Sequence, residues 1–152
     1  MSRRLSVTAM EAGKFDNTTV TDDIALIKLG KKVAYDIAVQ GVCLPAENEG
    51  LPAPENPCLV AGWGLLLNGR TGTKLQQFQT YIIAGKVDNP YFHENRMICT
   101  ASKTRNTGAR QGDSGGPLVC LRNNTFVVYG VVSFGFQEAC ADVTDRQAFT
   151  KV

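Results

Sequence analysis

The apolar runs of this chain are short, and turn-forming residues close each of them. Ile24-Ala25-Leu26-Ile27-Lys28-Leu29 stops at Gly30, and Cys58-Leu59-Val60-Ala61 stops at Gly62-Trp63-Gly64. Such runs between turn signals have the length of buried strands rather than of helices. Leu75 to Ile83 carries Leu75, Phe78, Tyr81, Ile82 and Ile83, which predicts a strand in its second half. Pro117-Leu118-Val119-Cys120 and the run Phe126 to Val132 flank Asn123-Asn124, a pair suited to a hairpin turn. Helical periodicity is weak throughout, and His93 to Met97 supports one helical turn at most. Many short strands at regular spacing predict an all-β barrel or sandwich.

The 152 residues suffice for one domain with a real core, or for part of a larger one. A formal net charge of +2 predicts no nucleic-acid partner and no membrane-surface partner. No apolar window reaches the length of a membrane span, and Leu5 to Met10 is too short and polar for a secretory signal. The five cysteines, Cys43, Cys58, Cys99, Cys120 and Cys140, contain no close pair, and the chain has one histidine, so a zinc site is not expected. Scattered cysteines among many turns point to an oxidising, extracellular compartment. Asn17-Thr18-Thr19 and Asn123-Asn124-Thr125 fit the glycosylation sequon and agree with secretion. Residues 47–57 are rich in Pro, Glu and Asn and read as a surface connector between residues 1–46 and 58–152.

Chemistry is concentrated in Gly112-Asp113-Ser114-Gly115-Gly116-Pro117. Glycines let the backbone take tight conformations and let a substrate come close. A serine among them can offer its hydroxyl and its own N–H to one carbonyl, as acyl transfer requires of a nucleophile and an oxyanion hole. Such a serine needs a base, and the base needs a carboxylate to orient it. Asp23, just before the apolar run from Ile24, is the candidate carboxylate; Asp22 is expected to be solvated.

The motifs Asp23 to Leu29, Val42-Cys43-Leu44-Pro45, Val60-Ala61-Gly62-Trp63-Gly64, Met97-Ile98-Cys99, Gly112 to Pro117, Ser133-Phe134-Gly135 and Thr150-Lys151-Val152 occur in one order. In that order the chain resembles the chymotrypsin-like, trypsin-family serine proteases from about Val7 onward. The resemblance implies a double β-barrel, of which this chain would keep the last strands of the first barrel and most of the second. It implies peptide-bond hydrolysis through an acyl-enzyme on Ser114, with Asp23 orienting the base and the Gly112 and Ser114 N–H groups as oxyanion hole. Ser133 and Gly135 would pair with substrate backbone, as in strand addition. Gly108 would form the floor of the substrate pocket, and its lack of charge argues against a basic side chain there. Cys58 and Cys120 match a family disulfide. Protein or peptide substrates and protein protease inhibitors are the implied partners, with no cofactor and no metal.

The sequence also departs from the family. No histidine precedes Asp23, and the sole histidine, His93, falls in a loop expected to lie on the surface away from the serine. Loss of the histidine alone costs about 10⁶ in turnover in a serine protease of another fold, so this chain alone is expected to lack appreciable proteolysis. No segment resembles the family's Ile-Val-Gly-Gly-like end whose ammonium pairs with the aspartate before the serine, so Asp113 is expected to turn outward or to protonate. Lys86-Val87-Asp88 and Arg110 stand where partners of Cys99 and Cys140 would be, leaving a Cys99–Cys140 pair open. Cys43 resembles a cysteine that tethers a segment outside the catalytic domain. Gln147 stands near a usual pocket glycine and would narrow the pocket, which suggests an apolar or small side chain as ligand. Two functions follow: an endopeptidase domain, or a non-catalytic homologue acting as a protein-binding module or decoy. Missing strands would expose apolar faces and sheet edges.

Overall fold

The computed structural model describes residues 5–84, 87, 89–136 and 146–152. All eight of its regular elements are strands. β1 (Val7–Ala12) and β2 (Ala25–Leu29) form a two-stranded antiparallel ribbon, with Met10 opposite Ile27 and Ala12 opposite Ala25. The other six close into a barrel: β3 (Pro57–Gly62), β4 (Gln76–Ile82), β5 (Met97–Ala101), β6 (Pro117–Arg122), β7 (Thr125–Phe136) and β8 (Arg146–Lys151). Around the barrel the order is β3-β4-β5-β8-β7-β6, and every barrel pairing is antiparallel. No described helix is long and apolar enough to cross a membrane.

Alternation builds the barrel core. In β3, Cys58 and Val60 point inward while Leu59 and Ala61 are half-buried. In β6, Leu118 and Cys120 are buried and flank the half-buried Val119. Period-two patterning of this kind places one face of each strand inside a closed sheet. Val60, Ile98, Leu118, Tyr129 and Phe149 join those cysteines in one core. Cys58 and Cys120 are direct cross-strand partners, and their sulfurs are bonded. Gly130 on β7 faces Phe149, where an added Cβ would come within 2.9 Å of the Phe149 Cβ.

The hairpin expected at Asn123-Asn124 is present. Arg122 pairs with Thr125, leaving a two-residue loop in which both asparagines have positive φ, 46° and 61°. Positive φ at both central residues is the requirement of a type I′ turn, and asparagine tolerates it better than most side chains. The expected helical turn at His93 is one turn only: the Arg96 and Met97 N–H groups both donate to the His93 carbonyl before β5 begins.

The ribbon departs from the sequence reading. The run from Ile24 forms a strand, but every residue of β1 and β2 is exposed. Leu26 and Ile27 are 72% and 58% exposed, because β2 pairs with β1 alone and no second described sheet packs over either face. Residues 30–56 form no strand and are strapped to the barrel instead. The Cys43 backbone exchanges hydrogen bonds with Phe126 and Val128, and Glu49 bonds both the Tyr129 hydroxyl and Arg122. Cys43 is an exposed free thiol, Cys99 is buried in β5, and Cys140 lies outside the described residues.

Candidate active site

The Ser114 loop joins β5 to β6 and is tied down at both ends. The Asp113 N–H donates to the Arg110 carbonyl, and the Gly116 N–H donates to the Asp113 carbonyl, each at 2.9 Å. Gly115 donates to the Val132 carbonyl at 2.9 Å, and Val132 donates back to Gly116 at 2.8 Å, which fastens the loop to β7. Gly112 and Gly115 have φ of +98° and +80°, conformations that side-chain-bearing residues avoid. The chain therefore turns sharply on each side of Ser114 and leaves it exposed. Among the described residues, neither the Gly112 nor the Ser114 N–H has a backbone acceptor. Both are free donors, as an oxyanion site requires.

Asp23 reaches the same place by another route. Ser133 donates from Oγ to Asp23 Oδ2 at 2.7 Å, across 110 residues of sequence. Ser133 falls where the β7–β8 register slips: Val132 pairs with Phe149 and Phe134 with Ala148, so Ser133 is the extra residue of a β-bulge. A bulge re-aims one side chain off the alternating pattern, and here it frees the Ser133 hydroxyl for Asp23. The adjacent residue, Val132, holds the Ser114 loop. Two consecutive positions of β7 thus hold Asp23 and the Ser114 loop. Asp22, expected to be solvated, pairs with Arg96 instead.

Asp113 does not turn outward. Its Oδ1 accepts from the Gly64 N–H at 2.8 Å and its Oδ2 from the Arg110 N–H at 2.9 Å. The carboxylate lies so close to Gly62 and Gly64 that a Cβ on either would fall 2.0 Å and 2.5 Å from its atoms. Two backbone donors and two residues without side chains hold the half-buried carboxylate against the loop, so the outward turn expected from the sequence is not adopted. Charge-assisted bonds of this type are among the stronger ones.

A cavity of about 210 Å³ opens beside Ser114, walled by Ala109, Val132, Ser133, Gly135 and Gln147. Gly135 leaves its mouth open, since nothing lies within 4 Å of where a Cβ would be. Gln147 is only 6% exposed and donates from Nε2 to the Ala109 carbonyl at 3.1 Å. Gly108 was expected at the floor of this cavity but does not line it. It lines a neighbouring cavity of about 190 Å³ together with Gly62, Gly64 and Asp113. The Gln147 carboxamide, bonded at Ala109, stands in this cavity's wall where the sequence reading expected only a narrowing. His93 lines neither cavity, and it is half-buried rather than on the surface, with its Nε2 shielded. Among these residues, sequence reasoning missed the support that Ser133 gives Asp23. Its only trace was the serine's place in a strand, since a bulge leaves no composition signal.

The family model described as Trypsin matches residues 2–152. The chain belongs to the trypsin family of serine proteases. Its closed six-stranded barrel with a second small sheet is that of a chymotrypsin-like protein. Ovochymase of Halocynthia roretzi is 32% identical over 136 residues, which cover 86% of this chain. The chain spans 8% of the length of ovochymase. Serine protease chemistry on protein or peptide substrates is the activity of the family, and a disulfide-bonded barrel agrees with an extracellular setting.

Proposed function

We propose that this chain carries the nucleophile half of a serine endopeptidase site. Ser114 is the nucleophile, Asp23 is the carboxylate that orients a base, and the Gly112 and Ser114 N–H groups form the oxyanion hole. Ser133 and Gly135 present the strand edge to which substrate backbone adds, and the cavity beside Ser114 takes a substrate side chain. The observation that carries this reading is the convergence on β7, where Val132 holds the Ser114 loop and Ser133 holds Asp23. A free N–H pair beside an exposed serine can stabilise the oxyanion of a tetrahedral intermediate.

Proton transfer is the weak step. The sequence has one histidine, and it lines neither cavity of the site. Among the described residues no imidazole is hydrogen-bonded to Asp23, so none is held there to take the Ser114 proton, and proteolysis by this chain alone is expected to be negligible. A fluorophosphonate probe tests this directly. The expected result is no labelling above the Ser114→Ala control, and stoichiometric labelling of Ser114 would overturn it.

Gln147 and Arg110 favour a second reading, a non-catalytic homologue that binds peptide or protein chains without cutting them. Gln147 occupies the wall of the cavity, and Arg110 replaces a cysteine that would brace the loop. Sequencing the transcript upstream of Met1 separates the two. An in-frame segment with a His-Cys pair selects the endopeptidase, and a stop codon selects the binding module. An extracellular setting fits either reading, since the Cys58–Cys120 disulfide persists in an oxidising compartment.

A further inference from the structure

The asparagines between β6 and β7 make a turn, and they also belong to a motif. Asn123-Asn124-Thr125 is one of the chain's two sequons for N-linked glycosylation. A sequon can carry its bulky, water-loving oligosaccharide only where the asparagine stands on the surface. β6 ends at Arg122 and β7 begins at Thr125, so Asn123 and Asn124 are the whole loop. Asn123, Asn124 and Thr125 are all exposed. A cavity of about 390 Å³ opens beside Asn123, walled by Leu51, Pro52, Leu121, Arg122 and Tyr129, and it leaves room for a first sugar against the segment 30–56. The other sequon is held more closely. The Thr18 hydroxyl donates to Asn17 Oδ1 at 3.4 Å, and the half-buried Thr19 shares a hydroxyl hydrogen bond of 2.9 Å with Thr21.

Strand length separates the Asn123 turn from the candidate site. β6 starts three residues after Ser114 and runs six residues to Arg122. At about 3.3 Å per residue, the strand carries the turn about 20 Å from the Ser114 loop. β7 comes back to Val132 and Ser133 only in its second half. A glycan on this turn is rooted at the opposite end of the β6–β7 hairpin from Ser114.

We propose that Asn123 is an acceptor for an N-linked glycan, rooted on the β6–β7 turn away from the candidate active site. The donor is a lipid-linked oligosaccharide diphosphate. Asn123 Nδ2 gives up one proton and bonds C1 of the first sugar. The C1–O bond to the diphosphate breaks, and the lipid diphosphate leaves with that electron pair. The Thr125 hydroxyl is the second group of the sequon that the transferase reads. The inference rests on the extracellular setting given under the proposed function, because this transfer takes place on the secretory route.

The test maps glycans on the whole chain, expressed in animal cells behind a secretion leader. Secreted and cell-associated chains are both analysed by mass spectrometry, before and after peptide N-glycosidase, which releases the glycan and leaves an aspartate at the attachment point. Most wild-type molecules are expected to carry a glycan at Asn123, and the glycosidase is expected to remove it with a matching gain in gel mobility. Thr125→Ser keeps the sequon and is expected to keep the glycan. Thr125→Val keeps both turn asparagines and a β-branched strand residue, and is expected to lose the glycan at Asn123 completely. An unmodified Asn123 in the wild type, a glycan confined to Asn17, or a glycan at Asn123 that persists in Thr125→Val would each overturn the inference. Mapping the cell-associated chain reads the result even where a variant does not fold. The leader supplies the compartment, so failure at Asn123 overturns the acceptor and leaves the extracellular setting standing.

Discussion

The barrel and the β1–β2 ribbon are made of the same kind of sequence and have opposite fates. Val60 in β3 and Leu26 in β2 both sit in apolar runs that stop at glycine, yet Val60 is 1% exposed and Leu26 72%. β3 pairs with β4 on one side and β6 on the other, inside a closed sheet. Among the described residues, β2 pairs with β1 and with no other strand. A strand buries its apolar face only when something covers that face, and a lone two-stranded ribbon is marginal in water. The hydrogen bond from Ser133 to Asp23 crosses from barrel to the start of the ribbon, so the candidate site spans a buried region and an exposed one.

Truncation of one large apolar side chain in each region gives the largest contrast. Phe149 is fully buried, and Phe149→Ala is expected to cost about 3–5 kcal/mol in a denaturant melt. Leu26→Ala is expected to stay within about 0.5 kcal/mol. A loss of several kcal/mol at Leu26 would mean that the ribbon is covered in solution and the contrast is wrong.

Asp113 offers a sharper contrast inside the loops. Gly64→Ala would drive a Cβ to 2.5 Å from the Asp113 carboxylate, whereas Gly50 has no atom within 4 Å. Gly64→Ala is expected to cost about 1–3 kcal/mol by overpacking, and Gly50→Ala about zero. Amide shifts should reach Arg110 and Ser114 in the first variant only. Shifts confined to Gly64 itself would break the link between Asp113 and the Ser114 loop.

Ser133→Ala cuts one of two ties between the regions, the other being the Asp22–Arg96 pair, and leaves the barrel core intact. The expected loss is about 1 kcal/mol, for one half-exposed bond to a carboxylate. Hydrogen exchange should rise in residues 22–29 and stay flat in β3 and β6. Equal change in both would show that Asp23 is not the joint.

The smallest effect lies in the turn between the ribbon strands. Asp16 Oδ1 accepts from the Thr18 N–H at 2.8 Å, and this bond, with help from Thr19, holds the Asp16 carboxyl below its ordinary 3.8. A carboxyl lowered in the folded state contributes stability above its unfolded value and loses it as pH falls through the folded one. Asp16→Asn should therefore leave melts unchanged at low pH and weaken the ribbon slightly at neutral pH. An effect confined to acid would reverse the sign and reject the assignment.

Much of the fold was legible. The strands at β3, β4, β6 and β7 follow apolar runs bounded by turns, and the Asn123-Asn124 turn follows from φ preferences of single residues. The candidate site was legible where chemistry is local, in Gly112 to Pro117, and Asp23 was named from its place before the apolar run at Ile24 and again through the family resemblance. It was illegible where one residue's role depends on another far away. Ser133 supports Asp23 because of a register slip. Gln147 lines the Ser114 cavity and bonds the Ala109 carbonyl, whereas Gly108 lines the neighbouring cavity, and the half-buried Asp113 carboxylate fits against Gly62 and Gly64 because neither carries a side chain.

By itself the sequence determined the strands β2, β3, β4, β6 and β7, the tight turns at Gly112, Gly115, Asn123 and Asn124, and the placing of a serine between two of them. These depend on steric limits within a residue and its neighbours, which any conformation of the chain obeys. Only the tertiary structure decided which strands are buried, and that Asp23 and the Ser114 loop meet on adjacent residues of β7. Those outcomes depend on barrel closure, which sets the register between segments far apart in sequence, and a register change of one residue turns every side chain to the other face.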